Sequence, residues 1–415
     1  MKFNYENQSG EMDFLFIDAK TKYWFVRAGK GAEYYKDFKT NNYIAIGDNE
    51  VNLSNLKAIE QKFKMIEDTK IEEYKKIFNE TYIELLKSST KFKDLDLTEQ
   101  EEAIEKEKRS STIAANKTFK FIEKMGVGDY VLIPYKSSEY FLLGIILSDV
   151  YDNEIHHTYL GENDEYPISD YDKKRTVLWI KEIPFKDLPD QVNWILQGNR
   201  AIFDISQYAE QINPLISNQY IYKDKIYMRI DVGTEERVDS QTWLYYQSTI
   251  VKNADTIANK IFQKNKVQSA GQTVLETIIE NWETFAVIAI ALFTDADIKI
   301  KECTFKWHGP LAFLNPQIRK KRKHEEQIDA LELKQIEQDL ETKELTNQRM
   351  RIENKILLNS SYTSEHEETS KNISEVTKTV EEQKALEKMH ISNKAIGRDI
   401  SLEKQMDNLF DFDGE

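Results

Sequence analysis

Few residues of this 415-residue chain have the types and spacing needed for catalysis. Asp295, Asp297 and Lys299 follow the apolar run 285–293, and Glu302 comes soon after them. Carboxylates beside a lysine can hold a divalent metal ion and position a water molecule for hydrolysis. A charged turn after a buried element accounts for the same pattern, so we assign no catalytic residue.

Histidine and cysteine also give little indication of metal chemistry. The pair His156 and His157 lies in an acidic loop without further ligands at a fixed spacing, which favours a surface loop over a metal site. The single cysteine, Cys303, excludes an intrachain disulfide and a cysteine-based zinc cluster. The sequence has no phosphate-binding glycine loop, dinucleotide fingerprint or nucleophile elbow. We therefore expect no cofactor and no metal.

Charge and hydropathy restrict the classes of partner. The formal net charge of -15 argues against a protein that coats nucleic acid through a general positive field, so any such contact must be local. The amino terminus has no basic start followed by an apolar run. The apolar run 285–293 is much shorter than the roughly 20 residues that a membrane-spanning helix needs. We expect a cytoplasmic protein with no membrane segment.

Short aromatic strands and a long helical stretch make up the first half of the chain. Residues 12–46 alternate apolar runs with turns, which is typical of strands. From residue 53 to about 124, apolar residues recur at three- and four-residue spacing, which indicates amphipathic helices. Strand patterns return at 128–183. The sequence predicts one β domain over 1–206, with a helical insertion at about 53–124.

The second half divides into four predicted segments. Residues 207–315 read as a mixed α+β domain, with a hairpin turning at Lys223 to Lys225, a helix from Gln241 capped by Asp239 or Ser240, and another helix at 273–293. Three segments follow: a long helix or coiled-coil arm at 316–358, a polar linker at 359–371, and a helix with an acidic tail at 372–415.

Certain residues of the first domain occur in a characteristic order. They are Tyr23-Trp24-Phe25, a glycine turn, Ile46-Gly47, then after the insertion Gly128-Asp129, Tyr135, Gly144-Ile145, Asp149-Val150-Tyr151 and Trp179. This order resembles the PUA superfamily, closest to its EVE and YTH-like branch and to the amino-terminal domains of Mrr-type modification-dependent restriction proteins. The resemblance covers about residues 12–206 and implies a PUA-like β-barrel there, from which this sequence departs by its helical insertion. With the segments predicted above, the expected fold class is α+β: a PUA-like β-barrel with a helical insertion, a mixed α+β middle region and a long helical carboxyl-terminal arm.

The resemblance also implies a pocket between the barrel strands that takes an unstacked nucleobase between aromatic rings. By position in the pattern, Trp24, Tyr151 and Trp179 are the candidate cage residues. Stacking of a base on an aromatic face contributes about 1–3 kcal/mol. The alternative for each residue is an ordinary core aromatic.

Glycine and basic residues give candidate contacts to a phosphate or a base edge. These candidates are Arg27, Gly29, Lys30, Gly31 and Arg175. A plain tight turn and a solvated strand entry explain the same residues. A secondary basic patch, for which a charged helix start is the alternative, comprises Arg319, Lys320, Lys321, Arg322 and Lys323.

Mrr-type proteins usually carry a nuclease domain whose strand ends in Glu-x-Lys, and this sequence departs from that pattern. Glu332 and Lys334 have the right types but lie in a helical stretch. The leading hypothesis is a non-catalytic sensor of a modified or flipped base in bacterial anti-phage or restriction-type defence. It would bind nucleic acid, modified DNA above all, or a nucleotide, and a protein partner or second copy through the carboxyl-terminal helices. The alternatives are a metal-dependent nuclease with a site in 207–310 and an oligomerisation scaffold.

Overall fold

The structure is a computed structural model in which the described residues form two compact units. The first unit contains Lys22–Ala209 and residues 399–401 and 405; the second contains residues 2–21, those described between 210 and 308, and 367–398. No helix in the described part of the chain is long and apolar enough to cross a membrane. The structure describes residues 2–4, 9–62, 67–136, 139–152, 166–192, 200–234, 237–266, 271–293, 302–308, 367–371, 379–393, 396–401 and 405.

A curled, half-barrel sheet forms the first unit. Its strands are β3 (Tyr23–Val26), β4 (Tyr43–Ile46), β5 (Tyr130–Pro134), β6 (Tyr140–Ile146), β7 (Tyr151–Asp152), β8 (Lys173–Pro184), β9 (Ile202–Asp204) and β17 (Arg398–Asp399). The order is β17-β8-β6-β5-β3-β9, and β4 and β7 pair with the first part of β8. The long strand β8 thus pairs with four other strands: β4, β6, β7 and β17.

Helices lie between β4 and β5, where the sequence predicts an insertion. They are α2 (Leu53–Lys62), α3 (Glu67–Ser88), α4 (Thr90–Lys93) and α5 (Leu97–Phe119), followed by a π-helical turn at Lys120–Lys124. A short helix, α1 (Tyr35–Thr40), precedes β4. Helix α5 begins with a capping box, in which the Asp96 carboxylate accepts from the Glu99 backbone N–H and the Glu99 side chain accepts from Asp96.

Arg175 on β8 anchors the end of this insertion to the sheet. It is only 1% exposed. Its guanidinium donates to the carbonyls of Phe121 and Ile122 in the π-helical turn, at 2.8 and 2.9 Å, and to the carbonyl of Ser148 at 3.0 Å. Because the last carbonyls of a helix have no partner inside the helix, a buried arginine satisfies three polar groups at once.

A glutamine from the carboxyl-terminal segment completes the edge of β8. The Trp179 N–H donates to Gln405 Oε1 and Gln405 Nε2 donates to the Trp179 carbonyl, both at 2.7 Å. The Asn42 side chain donates to the Gln405 carbonyl at 3.2 Å, and the Ile400 N–H donates to the Ile180 carbonyl at 2.9 Å. One amide side chain therefore replaces a neighbouring strand at Trp179.

A mixed sheet with helices forms the second unit. Its strands are β1 (Lys2–Asn4), β2 (Ser9–Ile17), β10 (Gln219–Tyr222), β11 (Lys225–Val232), β12 (Phe262–Lys266), β13 (Gly271–Ile278), β14 (Glu302–His308), β15 (Glu367–Lys371) and β16 (Ile391–Ser392). Its helices are α6 (Ala209–Ile216), α7 (Ser240–Ala254), α8 (Trp282–Phe293) and α9 (Val380–Met389). Strand β2 runs parallel to β10 and β14, so the chain before residue 22 pairs here and not in the curled sheet.

Two local predictions in this unit are confirmed and one is wrong. The β10–β11 hairpin turns at Lys223 and Asp224, both with positive φ, and the Asp239 carboxylate caps α7 by accepting from the Thr242 N–H at 2.8 Å. The helix predicted at 273–293 begins only at Trp282. The preceding residues form β13 because strands β11 and β12 pair with it on both sides.

Several predicted features lie outside the described residues. They are the arm at 316–358, the basic patch at 319–323, the pair His156 and His157, the acidic group at 295–299, Glu332 with Lys334, and most of the tail beyond 401.

Gly144 tests how closely β6 and β8 approach each other. A Cβ at this position would lie 2.5 Å from Trp179 Cε3 and 2.5 Å from Val177 Cγ1. We expect Gly144→Ala to lower the free energy of unfolding by about 1–3 kcal/mol, measured by denaturant unfolding. Gly126→Ala is the matched control because its Cβ would have no neighbour nearer than 3.8 Å. Equal stability of the two variants would contradict the close approach.

Removing the Gln405 side chain tests the edge of β8. Gln405→Ala leaves the buried backbone N–H and C=O of Trp179 unpaired, so we expect a loss of about 2–3 kcal/mol in unfolding free energy. The exposed Ser401→Ala should change it by less than about 0.5 kcal/mol. Faster amide hydrogen exchange at Trp179 in Gln405→Ala would confirm the site of the damage. An unchanged exchange rate would show that the side-chain amide does not protect this edge.

Candidate functional site

The first part of β8 places two tyrosines and a lysine on one face of the curled sheet. Lys174 pairs with Tyr151 on β7 and with Ala45 on β4, and Thr176 pairs with Tyr43. Directly paired residues share a face, as do residues two apart along a strand. Tyr43, Tyr151 and Lys174 therefore point to the same side, opposite to Arg175.

The Lys174 ammonium lies over an aromatic ring and within the electrostatic influence of a buried carboxylate. Lys174 is 6% exposed, and its Nζ lies 4.1 Å from the centroid of the Tyr43 ring, a cation–π geometry. The buried Asp37 carboxylate on α1 accepts a short hydrogen bond from the Tyr43 hydroxyl. Asp37 also accepts from Asn41 Nδ2 and from the Ser169 N–H, each at 2.7 Å.

Two further tyrosines complete the group, which we call the tyrosine–lysine cluster: Tyr43, Tyr151, Tyr166, Lys174 and Asp37. An interaction with the Thr176 side chain lowers the pKa of Tyr151 and so opposes the effect of burial. Tyr151 and Tyr166 both act electrostatically on the Tyr43 hydroxyl and raise its pKa. The buried Tyr166 hydroxyl has no hydrogen-bond partner among the described residues.

Burial determines the electrostatics of the cluster. Desolvation lowers the pKa of Lys174, and the charge of Asp37 opposes that shift. Desolvation, then the hydrogen bond and charge of Asp37, raise the pKa of Tyr43 well above its usual value, and burial raises that of Tyr151. Tyr43 and Tyr151 therefore stay neutral at physiological pH and can act as rings and as hydrogen-bonding hydroxyls.

The structure does not bring the three predicted cage residues together. Trp24 is 2% exposed and its indole N–H donates to Asp129 Oδ2 at 2.9 Å. Trp179 is fully buried and its indole N–H donates to the Phe38 carbonyl at 2.9 Å. Strand alternation places Trp179 with Arg175, on the face of β8 opposite to Lys174 and Tyr151. Of the three, Tyr151 alone belongs to the tyrosine–lysine cluster.

The glycine turn has backbone conformations that suit an anion, but a carboxylate of the chain occupies it. Gly29 and Gly31 have φ of 74° and 64°, and the exposed Lys30 lies between them. The Lys30 N–H donates to Glu33 Oε1 at 2.9 Å. Arg27 is partly exposed and its Nε donates to the Arg200 carbonyl at 3.3 Å. A phosphate at this turn would have to displace Glu33.

The predicted phosphate contact of Arg175 is wrong, because its guanidinium is buried and donates to backbone carbonyls. Burial lowers its pKa to about 10, against the opposing charges of Asp149, Asp129 and Glu123. The neighbouring Lys173 is also buried, and its Nζ donates to the Asp48 carbonyl and to Asp172 Oδ1, both at 2.9 Å. The run 173–175 is therefore an interior feature and not a solvated strand entry.

Sequence reasoning missed Asp37, Tyr43, Tyr166 and Lys174. The available signal was three consecutive basic residues at the start of an otherwise apolar strand, since a strand buried on both faces must pair each charge. No group of three or more potential metal ligands occurs within the ranges that the structure describes.

The comparisons with known proteins give one partial match. A domain family of unknown function, DUF8426, matches residues 67–198, about a third of the chain. This segment includes Tyr151, Tyr166 and Lys174 but not Asp37 or Tyr43. No curated protein and no solved structure matches the chain.

Two tryptophan variants test whether the indole hydrogen bonds of Trp24 and Trp179 stabilise the core. Trp24→Phe removes a hydrogen bond to the Asp129 carboxylate and should cost about 1.5–3 kcal/mol near neutral pH. Trp179→Phe removes one to a neutral carbonyl and should cost about 0.5–1.5 kcal/mol.

The pH dependence distinguishes these two losses. Burial raises the pKa of Asp129 above its usual value, and the Trp24 hydrogen bond opposes this. Without that bond the folded-state pKa rises further, so the cost of Trp24→Phe is complete above the folded pKa and shrinks as the pH falls through it. The cost of Trp179→Phe should not follow this window. Unfolding free energies from pH 3 to 8 provide the check, and parallel profiles would refute the Asp129 contact.

Proposed function

We propose that the first unit is a PUA-like domain of the EVE type and that its tyrosine–lysine cluster binds a flipped nucleobase. The carrying observation is the buried Lys174 ammonium over the Tyr43 ring, beside the phenols of Tyr151 and Tyr166. Aromatic faces stack on any base, and a cation in a small cavity hydrogen-bonds to its polar edge. Tyr151 is shared by this cluster and by the cage that the resemblance implies.

The acidic net charge of the chain favours a local contact with one base over general binding to the phosphate backbone. The chain has 72 acidic against 57 basic residues, so general attraction to a phosphate backbone contributes little. Specificity then depends on one base held in the cluster. A modified base suits it, because an added methyl group buries apolar area worth about 0.8 kcal/mol per carbon.

The cellular role is proposed from the resemblance. The protein acts in the cytoplasm as a non-catalytic sensor in a restriction-type or anti-phage defence system. Modified DNA is its first proposed ligand, with RNA or a nucleotide as alternatives. The carboxyl-terminal helices pass the signal to a protein partner or a second copy.

Binding of the full-length chain to labelled oligonucleotides tests this function. The full chain is needed because Gln405 completes the edge of β8. Short single-stranded and duplex DNAs would carry plain, methylated or hydroxymethylated bases, with RNA in parallel, and fluorescence anisotropy would report Kd. We expect modification-dependent binding that Tyr151→Ala weakens by about 5- to 150-fold, the loss of one stacking contact.

Matched controls lie outside the cluster. Tyr140→Ala changes a tyrosine that is 46% exposed, and Lys108→Met changes a lysine on the exposed side of α5. Neither should alter Kd, whereas Lys174→Met should raise it. Thermal unfolding would verify that each variant is folded. Binding to none of the oligonucleotides would favour the scaffold hypothesis, and binding that is indifferent to Tyr151 and Lys174 would place the base elsewhere.

A further inference from the structure

An apolar cavity opens at one end of the sheet in the second unit. Its volume is about 170 Å³, and its lining includes Phe262 at the start of β12 and Ile278 at the end of β13. These two side chains are 59% and 44% exposed. A cavity of roughly 150 Å³ holds a benzene molecule. This cavity is therefore large enough for one phenyl ring.

Strand pairing places the cavity on the face of the sheet opposite α7. Phe262 pairs with Glu276 on β13, and Ile278, two residues further along β13, pairs with Lys225 on β11. Directly paired residues share a face, as do residues two apart along a strand. Gln263 points the other way, because its side-chain amide exchanges hydrogen bonds of 2.9 and 3.0 Å with a glutamine of α7. The cavity is therefore a surface feature and not part of the core beneath α7.

Strand β12 is an edge strand beside this cavity. Among the strands that the structure describes it pairs with β13 alone, so its outer edge is open. Lysines on an edge strand commonly protect it from unwanted pairing, which accounts for Lys264. An exposed Phe262 beside an apolar cavity has the opposite effect, because it adds an apolar contact for an incoming chain. An open edge next to a side-chain pocket is how sheets bind extended peptides.

Lysines lie around the cavity and favour an acidic occupant. Lys225 and Lys260 line it, and Lys264 follows on the same face of β12. The Lys225 and Lys264 ammonium groups lie 3.2 and 3.5 Å from the Glu276 carboxylate, and Lys264 also pairs with Glu210 at 3.3 Å. Lys260 is exposed and forms no ion pair with the residues that the structure describes. Two carboxylates therefore serve three lysines, and an occupant that combines a phenyl ring with carboxylates fits this surface.

The sequence contains one such segment close to Gln405. Residues 406–415, MDNLFDFDGE, lie outside the described residues and contain no basic side chain. Phe410 and Phe412 alternate with Asp411 and Asp413. In an extended chain this alternation directs both phenylalanines to one side and both aspartates to the other.

We propose that residues 406–415 bind along β12 as an extended strand and insert a phenylalanine ring into the cavity beside Phe262. The lysines around the cavity attract the carboxylates of the segment, and the open edge of β12 pairs with its backbone. This contact is separate from base binding, because the tyrosine–lysine cluster belongs to the first unit.

Peptide binding to the full-length chain tests this contact. The protein would carry Phe410→Ser and Phe412→Ser, so that its own segment leaves the cavity open. A labelled peptide with the sequence of residues 406–415 would be added, and fluorescence anisotropy would report Kd. We expect saturable binding that weakens at least about tenfold when the two phenylalanines of the peptide are changed to serine, since a buried phenyl ring is lost.

Matched variants in the same protein locate the binding site. Phe262→Ala should weaken peptide binding at least about tenfold, whereas Leu244→Ala, which changes a leucine of α7 that is 65% exposed, should not. Lys260→Glu should weaken binding about two- to fivefold, whereas Lys384→Glu on the exposed side of α9 should not. Thermal unfolding would verify that each variant is folded.

Amide hydrogen exchange tests whether the segment occupies the cavity in the unaltered chain. At a protein concentration well above the Kd of the peptide, residues 262–266 should exchange more slowly in wild-type protein than in the Phe410→Ser and Phe412→Ser variant. Equal exchange in the two proteins would overturn the proposal.

Three other results would also overturn it. They are the absence of peptide binding, binding that is indifferent to Phe262, and equal binding of a scrambled peptide of the same composition, which would indicate charge attraction alone. Sedimentation equilibrium covers a different occupant. A dimer that survives Phe410→Ser and Phe412→Ser but is lost in Phe262→Ala would show that the β12 edge of a second copy fills this surface instead.

Discussion

The burial of three consecutive basic side chains on β8 is the constraint on which the first unit depends. A buried charge without partners is strongly unfavourable, so Lys173, Lys174 and Arg175 each require compensation from elsewhere in the fold. Lys173 obtains it from the turn after β4 and Arg175 from the end of the helical insertion. These contacts hold the β4 turn and the insertion in place around the strand.

Lys174 differs from its two neighbours in how it is compensated. It has an aromatic face and a nearby carboxylate, but its hydrogen-bonding capacity is unused in the described residues. A fold optimised for stability alone would pair or replace such a group, since a well-packed apolar residue is often as stable as a buried ion pair. A ligand bound at the tyrosine–lysine cluster, as proposed above, would supply acceptors to the Lys174 ammonium.

Local patterns predicted much of the fold. The aromatic strands, the helical stretch between β4 and β5, the turn at Lys223 and Asp224 and the Asp239 cap follow from short-range rules of periodicity and capping. The helix predicted from residue 273 was wrong at its start, because pairing with β11 and β12 overrode the local apolar spacing. Local spacing could not predict this outcome, because strand β11, which pairs with β13, is distant from it in the sequence.

The candidate site was less predictable for a related reason. The pattern predicts Trp24 and Trp179 as cage residues because they are large aromatics at the expected positions, yet the indole N–H groups of both form hydrogen bonds inside the core. Strand alternation separates Trp179 from Tyr151, and this depends on the register of β7 against β8. Asp37 reaches Ser169 across more than a hundred residues, so no spacing rule could have joined them.

The glutamine that pairs with Trp179 has a consequence for how the protein is made. The first unit begins at residue 22, but its sheet edge stays open until residue 405 has emerged from the ribosome, after the whole second unit. During that interval the backbone of β8 near Trp179 is exposed to any other extended segment. We therefore expect the edge of β8 to be susceptible to mispairing in the nascent chain until Gln405 docks against Trp179.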